Sequence, residues 1–428
     1  MRSRIGLVGL VVFVLAAAAA CDSNKPSGSG SPASTQAGHP AGHTATTTVT
    51  ADASPKELRA QFEQLLGHHA LLAVRLMRSV VAQAPELREA ADAALRENTD
   101  ALSQTVTAAY GDAQGDRFER LWRRGVTDLT AYADGVAGND AAAKQTARTA
   151  LLADADAYGT WIADASNGQV QASDAPNAMR THVENLMTQA DAYAARDYAK
   201  AYLTERQAYE HMFTAGVSLA KGSVTPKAAA ALDAPPEQLR SAFAMLLGEH
   251  MELIIGAQRA TFAGSPEFKA AAAQVNANSG ALTKGMGAIV GPKKAAEFQS
   301  AWAEHVEGLL AYSTAVAGKD EAAKTAAEEN LSGIAQRLAL YLSDIVRNEL
   351  PVEPLTDALS AHDTHLVDQV DAYAGKRYGE ALQMEREGYQ QMLGVAGTLV
   401  AAIQKTVKPQ LPVGGSQTGG GGTAHRRR

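Results

Sequence analysis

An internal repeat is the feature that most constrains how this chain can fold. Residues 58–77 read LRAQFEQLLGHHALLAVRLM, and residues 239–258 read LRSAFAMLLGEHMELIIGAQ, at an offset of 181. Later matched segments follow at an offset of 180. Self-similarity over this length is typical of a duplicated structural module. We therefore expect a tandem duplication, with repeat 1 at 55–222, a linker at 223–234 and repeat 2 at 235–406.

Each repeat reads as helix throughout. The chain has 88 alanines among 428 residues, and alanine is the strongest helix former. Ser54-Pro55-Lys56-Glu57 has the pattern of a capping box with proline in the first turn. Breakers then divide the first repeat into helices at roughly 55–82, 86–110, 115–136, 139–166, 176–193 and 197–220. The sequence therefore predicts an all-α protein made of two antiparallel helical bundles, with about six helices per copy.

The N-terminus predicts an envelope location. Residues 1–20 begin with two arginines and continue as an apolar run of 16, which is short for a membrane-spanning helix. This pattern is that of a signal peptide. The only cysteine, Cys21, follows directly and resembles the lipidated cysteine of a bacterial lipoprotein, although Ala18 stands where leucine is usual. We expect an extracytoplasmic protein anchored to the outer face of the cytoplasmic membrane; ordinary cleavage after Ala20 is the alternative.

Composition narrows the remaining function classes. Residues 21–54 and 407–428 have few large apolar side chains, so we expect a disordered tether and a disordered tail. One cysteine excludes an internal disulfide framework and a cysteine-based zinc site. The net charge is −7 and no basic stripe with interleaved aromatics occurs, so nucleic acid is not an expected partner. No nucleophilic triad or phosphate loop is present, which indicates a protein that is not an enzyme.

Polar residues interrupt the apolar faces of the helices at similar heights. Each interruption falls about 12–15 residues from a hairpin turn, or about 20 Å along a helix. If the hairpins pack with their ends level, these residues form one layer in the middle of each bundle. The histidines of this layer are His69, His182 and His211 in repeat 1 and His250, His305 and His362 in repeat 2. Gly125 stands where repeat 2 has His305, and Gln391 stands where repeat 1 has His211.

Two hypotheses follow from this layer. In the first, neutral imidazoles inside the bundle bind a transition metal, copper or iron, or haem. In the second, they belong to a structural layer of hydrogen bonds, and the protein is an envelope scaffold for another protein. The supporting side chains would be Asn98, Asn278, Tyr209 and Tyr389. His68 and His365 lie off the inward positions, and we expect both to be exposed.

The repeated pattern also resembles a known group of proteins. Its marks are LL-x-[EH]-H ending at His69 and His250, F-x-x-x-W ending at Trp122 and Trp302, and a late Glu-Arg…Tyr-x-x-Met. It is similar to bacterial secreted proteins with tandem helical repeats, some of which occur with copper-amine-oxidase-like N-terminal domains. The resemblance implies an envelope protein with a link to metals and no established activity.

Overall fold

The computed structural model describes residues 53–166, 168–170 and 175–406. The expected signal peptide, Cys21, the tether and the C-terminal tail lie outside these residues. Every regular element in the described part is a helix, so the predicted all-α class is confirmed. The helices are α1 (Pro55–Val81), α2 (Pro85–Tyr110), α3 (Asp112–Ala137), α4 (Ala141–Ala165), α5 (Ala175–Ala194), α6 (Tyr198–Gly222), α7 (Pro226–Ala231), α8 (Pro235–Phe262), α9 (Phe268–Val290), α10 (Pro292–Gly318), α11 (Glu321–Ile345), α12 (Val352–Ala374) and α13 (Tyr378–Thr406).

The first helix begins as its sequence predicts. The Ser54 hydroxyl accepts a hydrogen bond from the Glu57 backbone N–H at 3.3 Å. The Glu57 carboxylate accepts one from the Ser54 backbone N–H at 2.8 Å. This capping box satisfies two N–H groups that the first helical turn would otherwise leave without partners. The other helices of the first half begin and end within three residues of the predicted bounds.

Helices α1 and α8 occupy equivalent central positions in the two halves. Helix α1 packs against α2, α3, α5 and α6, and α8 packs against α9, α10, α12 and α13. A helix with neighbours on all sides is buried around its whole circumference. The expectation that His68 is exposed is therefore wrong: this residue is 4% exposed, and its ring stacks on Tyr389 with 5.1 Å between ring centres. The side of α1 that carries His68 faces α13 of the other half.

The two halves pack against each other mainly where α13 lies on α2 and α6 lies on α9, with further contacts between the central helices α1 and α8. At this interface the hydroxyls of Tyr209 and Tyr389 lie 3.4 Å apart. These residues occupy equivalent positions in α6 and α13, and both are buried. No helix in the described part is both long and apolar enough to cross a membrane.

Candidate metal centre

Three histidines from three helices of the second half meet in its interior. His250 lies in α8, His305 in α10 and His362 in α12, and these residues are 0%, 2% and 2% exposed. Their ring centres form a triangle with sides of 5.6, 5.7 and 6.2 Å. One nitrogen of each ring lies within 4.8 Å of the other two, and this is the only such group found in the described ranges. The group could hold a metal ion.

Most ring nitrogens of this cluster have no hydrogen-bond partner. Both nitrogens of His250, both of His362 and Nε2 of His305 are buried without a partner among the described residues. A buried polar atom without a partner is unfavourable by about 1–3 kcal/mol, and such atoms are rare in folded proteins. Three ring nitrogens of the cluster, one from each histidine, lie close enough together to be ligands of the same ion. They are the atoms that a metal ion uses as ligands.

Burial keeps these imidazoles neutral. It lowers the pKa of His305 to about 4 and that of His250 and His362 well below the ordinary value. Neighbouring histidines lower the last two further. A neutral imidazole has a lone pair free for a metal, whereas an imidazolium has none. At neutral pH all three rings are therefore in the form that binds metals.

Asp363 adds a carboxyl group behind the histidine cluster. Its Oδ1 lies 3.2 Å from Nδ1 of His305, without the alignment of a full hydrogen bond. Burial raises the pKa of Asp363 to about 8. A carboxylate on the second nitrogen of a metal-binding histidine orients the ring and makes it a stronger ligand. Sequence reasoning missed this residue, although the alignment of the repeats contained a signal, since Val183 stands at the equivalent position.

The first half keeps only part of this arrangement. His69 and His182 occupy the positions of His250 and His362, and their ring centres are 5.9 Å apart. Gly125 replaces His305, and a side chain there would meet open space. A cavity of about 40 Å³ is lined by these three residues, by Asp154 and by neighbouring side chains that are mostly apolar. The histidines of this half do not form a group of three ligands in the described structure.

A tryptophan shows the same difference between the halves. Trp122 Nε1 donates a hydrogen bond to Nδ1 of His69 at 3.2 Å. The equivalent ring centres of Trp302 and His250 are as close, at 4.6 Å, but Trp302 Nε1 has no partner in the described structure. The imidazole of His69 is thus partly satisfied by protein, and that of His250 is not.

His211 has a different environment from the other histidines. Burial lowers its pKa, and a hydrogen bond with the backbone carbonyl of Ala178 acts in the opposite direction. In the second half, Gln391 Nε2 donates to the carbonyl of Ala358 at 3.0 Å. Since Ala178 and Ala358 are equivalent, the two side chains make the same bond to the preceding helix. This shared bond accounts for a histidine in one half and a glutamine in the other.

The predicted supporting residues contact the backbone or each other, and Asn278 Nδ2 also donates to the Glu249 carboxylate at 2.7 Å. Asn98 Nδ2 donates to the Leu65 carbonyl at 3.1 Å, and Asn278 Nδ2 donates to the Leu246 carbonyl at 2.9 Å. These equivalent bonds fasten the second helix of each half to the central helix. Tyr209 and Tyr389 lie at the interface between the halves.

The three ring nitrogens of the cluster lie slightly farther apart than the ligands of a bound metal ion. Three nitrogens at about 2.0–2.1 Å from one ion lie about 3.3–3.6 Å from each other. Since no two of the three nitrogens are more than 4.8 Å apart here, each would have to move by less than about 1 Å toward the centre to bind one ion. Comparison with protein-family models, curated proteins and solved structures finds no match to this chain.

Proposed function

We propose that this protein binds one transition-metal ion, copper, through His250, His305 and His362. The observation that carries the proposal is the convergence of three buried imidazoles, each of which offers one ring nitrogen within 4.8 Å of the other two. Imidazole suits copper, zinc, iron and nickel, and copper has the highest affinity of the divalent series. The carboxyl group beside the rings, that of Asp363, holds its proton at neutral pH in the metal-free protein, and a bound cation would favour its charged form.

The arrangement of the rings favours an ion over haem. A porphyrin needs a flat open slot on either side of the iron, with at most two axial side chains. Here the third ring, His305, lies 5.7 and 5.6 Å from the other two ring centres and occupies that space. Three side chains around one point are instead the usual ligand set of a mononuclear metal site.

Metal analysis of the purified protein tests this proposal. Metal-free protein is supplied in turn with copper, zinc, iron and haem, and the bound amount per chain is measured. We expect one copper per chain, and we expect the His250→Ala/His305→Ala/His362→Ala variant to bind none. The matched control is His69→Ala/His182→Ala/His211→Ala, which should still bind one. A protein that binds no metal from any of these supplies would overturn the proposal and favour the scaffold hypothesis.

We further propose that the protein acts in the cell envelope, held by a lipid on Cys21. The support is the N-terminal sequence alone, since Cys21 precedes the described residues. When cells are labelled with a radioactive fatty acid, the protein should carry the label, and it should be found in the membrane fraction. The Cys21→Ser variant should lose the label. An unlabelled, soluble wild-type protein would contradict lipidation without bearing on the metal centre.

A further inference from the structure

The ring nitrogens of the metal centre are closed off from water. His250, His305 and His362 are 0%, 2% and 2% exposed. Both nitrogens of His250, both of His362 and Nε2 of His305 are fully buried. A surface that no water molecule touches has no room for a water ligand beside it. An ion bound to these nitrogens therefore has three protein ligands and gains no fourth ligand from solvent.

The surrounding protein offers no fourth ligand either. Within the described ranges, no further histidine, cysteine or carboxylate belongs to the group of three. Asp363 contacts Nδ1 of His305 at 3.2 Å and lies outside that group. Ile334, which is 1% exposed, stands at the position equivalent to Asp154, a carboxylate that lines the cavity of the first half. The second half thus has an apolar side chain where the first half has a charged one.

Three ligands suit a monovalent copper ion better than a divalent metal ion. Zinc is almost always four-coordinate in proteins, and copper(II) prefers a square-planar or tetragonal arrangement of four or more ligands. Copper(I) has a filled d shell, makes no demand for a square geometry, and forms stable complexes with three ligands. A site limited to three nitrogens therefore favours the monovalent ion.

The charge of the ion leads to the same conclusion. All three imidazoles are neutral ligands, so the ion brings its full charge into the protein interior. The penalty for moving an ion out of water rises with the square of its charge and is about four times larger for a divalent ion than for a monovalent ion of equal size. The carboxyl group of Asp363 can compensate at most one unit of charge.

An aromatic side chain fills the space beside two of the ligands. The ring centre of Trp302 lies 4.6 Å from that of His250 and 5.5 Å from that of His305. Trp302 precedes His305 by three residues in α10, so both residues lie on the same inward face of the helix. The indole is 5% exposed, and its ring centre lies 5.2 Å from that of Phe298. Trp302 therefore occupies volume that water would otherwise enter.

From these observations we propose that the metal centre selects monovalent copper over divalent ions, and that Trp302 is a residue that determines this selectivity by excluding water. The inference rests on the proposed function and adds the charge of the ion to it. Selectivity arises because the site combines three neutral nitrogens with surroundings that supply neither a fourth ligand nor a second negative charge.

Competition with chelators tests the proposal on the full chain, with silver(I), zinc(II), and copper(I) kept reduced by ascorbate without oxygen. Silver(I) and zinc(II) both have filled d shells, so ligand-field effects do not enter their comparison. Free imidazole, titrated in the same way, gives the intrinsic preference of the ligand for each ion. We expect the protein to bind one silver(I) or one copper(I) and to exceed the preference of free imidazole for silver(I) over zinc(II) about tenfold or more.

Two variants test the cause of the selectivity. Trp302→Leu admits water beside His250, so the preference for silver(I) over zinc(II) should fall about tenfold. The matched control is Trp122→Leu at the equivalent position of the first half, which should leave this preference unchanged. Ile334→Asp copies Asp154 of the first half into the second half, and it should raise the affinity for zinc(II) by supplying a charged fourth ligand.

The outcomes separate this inference from the metal centre itself. A wild-type protein that binds these ions with no greater preference for silver(I) than free imidazole would overturn the selectivity and leave the metal centre in place. A wild-type protein that binds none of the ions would overturn the proposed function as well. An unchanged preference in both folded variants, Trp302→Leu and Ile334→Asp, would show that the dry, three-ligand environment does not determine which ion is bound.

Discussion

His305 Nδ1 lies 3.2 Å from Asp363 Oδ1 in the second half of the protein. The equivalent positions in the first half are Gly125 and Val183, so both members of the contacting pair differ together. The other two ring positions are histidine in both halves. The imidazole and its carboxyl group therefore behave as one unit, which is the relationship expected of a metal ligand and the group that orients it.

Installing this pair in the first half should create a second metal site. In Gly125→His/Val183→Asp, the new histidine enters open space beside His69 and His182. We expect bound copper to rise from one to two per chain, measured by metal analysis. Gly125→His alone lacks the carboxyl group and should bind the second ion about 10–100-fold more weakly. A folded double variant that still binds one ion would contradict the assignment of the ligands.

Removing the carboxyl group should weaken the native site without abolishing it. Asp363→Asn leaves all three imidazoles in place but removes the carboxyl group beside His305, whose charged form a bound cation would favour. We expect copper affinity to fall about 10–100-fold while one ion per chain still binds at saturation, as measured by competition with a chelator. His365→Gln is the control, because His365 lies outside the group of three. Equal affinities of Asp363→Asn and the wild type would show that Asp363 has no part in the site.

The metal-free protein should lose stability in acid. Burial lowers the pKa of His69 to about 3 and that of His68 and His305 to about 4, from 6.5. Below pH 6.5 the unfolded chain binds protons that the native chain does not. The free energy of unfolding should then fall by up to about 1.4 kcal/mol per pH unit for each histidine. Urea denaturation between pH 4.5 and 6.5 measures this slope, and a flat profile would contradict it.

The same protein should also lose stability above about pH 6.5. Burial raises the pKa of Asp363 and of Glu252 to about 8. Between their ordinary values and pH 8 the native chain holds protons that the unfolded chain has released, so a rise in pH favours unfolding. With the acid slope, this predicts a maximum near pH 6.5. Asp363→Asn should show a shallower alkaline slope in urea denaturation and a steeper acid slope, because the Asp363 effect opposes that of the histidines below pH 6.5.

Two equivalent glycines should be intolerant of a methyl group. A Cβ on Gly67 would lie 2.6 Å from the Tyr389 hydroxyl, and one on Gly248 would lie 2.7 Å from the Tyr209 hydroxyl. Neither buried tyrosine can retreat, so we expect Gly67→Ala and Gly248→Ala each to cost about 1–3 kcal/mol of stability. The control is Gly280→Ala, at an exposed helical site with open space, which should gain about 0.5–1 kcal/mol. Equal effects at all three positions in urea denaturation would contradict the close packing of the halves.

Much of the fold could be predicted from the sequence because its signals are local. Proline, glycine and capping residues mark the helix ends, and the apolar stripes mark the inward faces. His250, His305 and His362 could be placed together because hairpins of equal length put their midpoints at one height. The sequence repeat made this inference stronger, because the polar residues lie at about the same distance from a hairpin turn in both matched segments.

The remaining features depend on how helices and halves pack. His68 is buried because α1 is enclosed on every side, and the helical stripe of α1 alone does not contain that information. Asp363 is next to a histidine in sequence and has no periodic signal of its own. The ion pairs of Arg75 with Glu252 and Glu385 form only when the halves meet, and no local pattern indicates which carboxylates this arginine faces.

The depth of the three histidines has a consequence for the kinetics of any ion they hold. Because these side chains are only 0–2% exposed, an ion bound to them has no path to solvent while α8, α10 and α12 remain packed. Entry and departure of a metal must therefore wait for a transient separation of these helices, so the residence time follows the opening rate of the bundle. Such a centre is suited to retaining an ion over long periods and releasing it when the second half loosens.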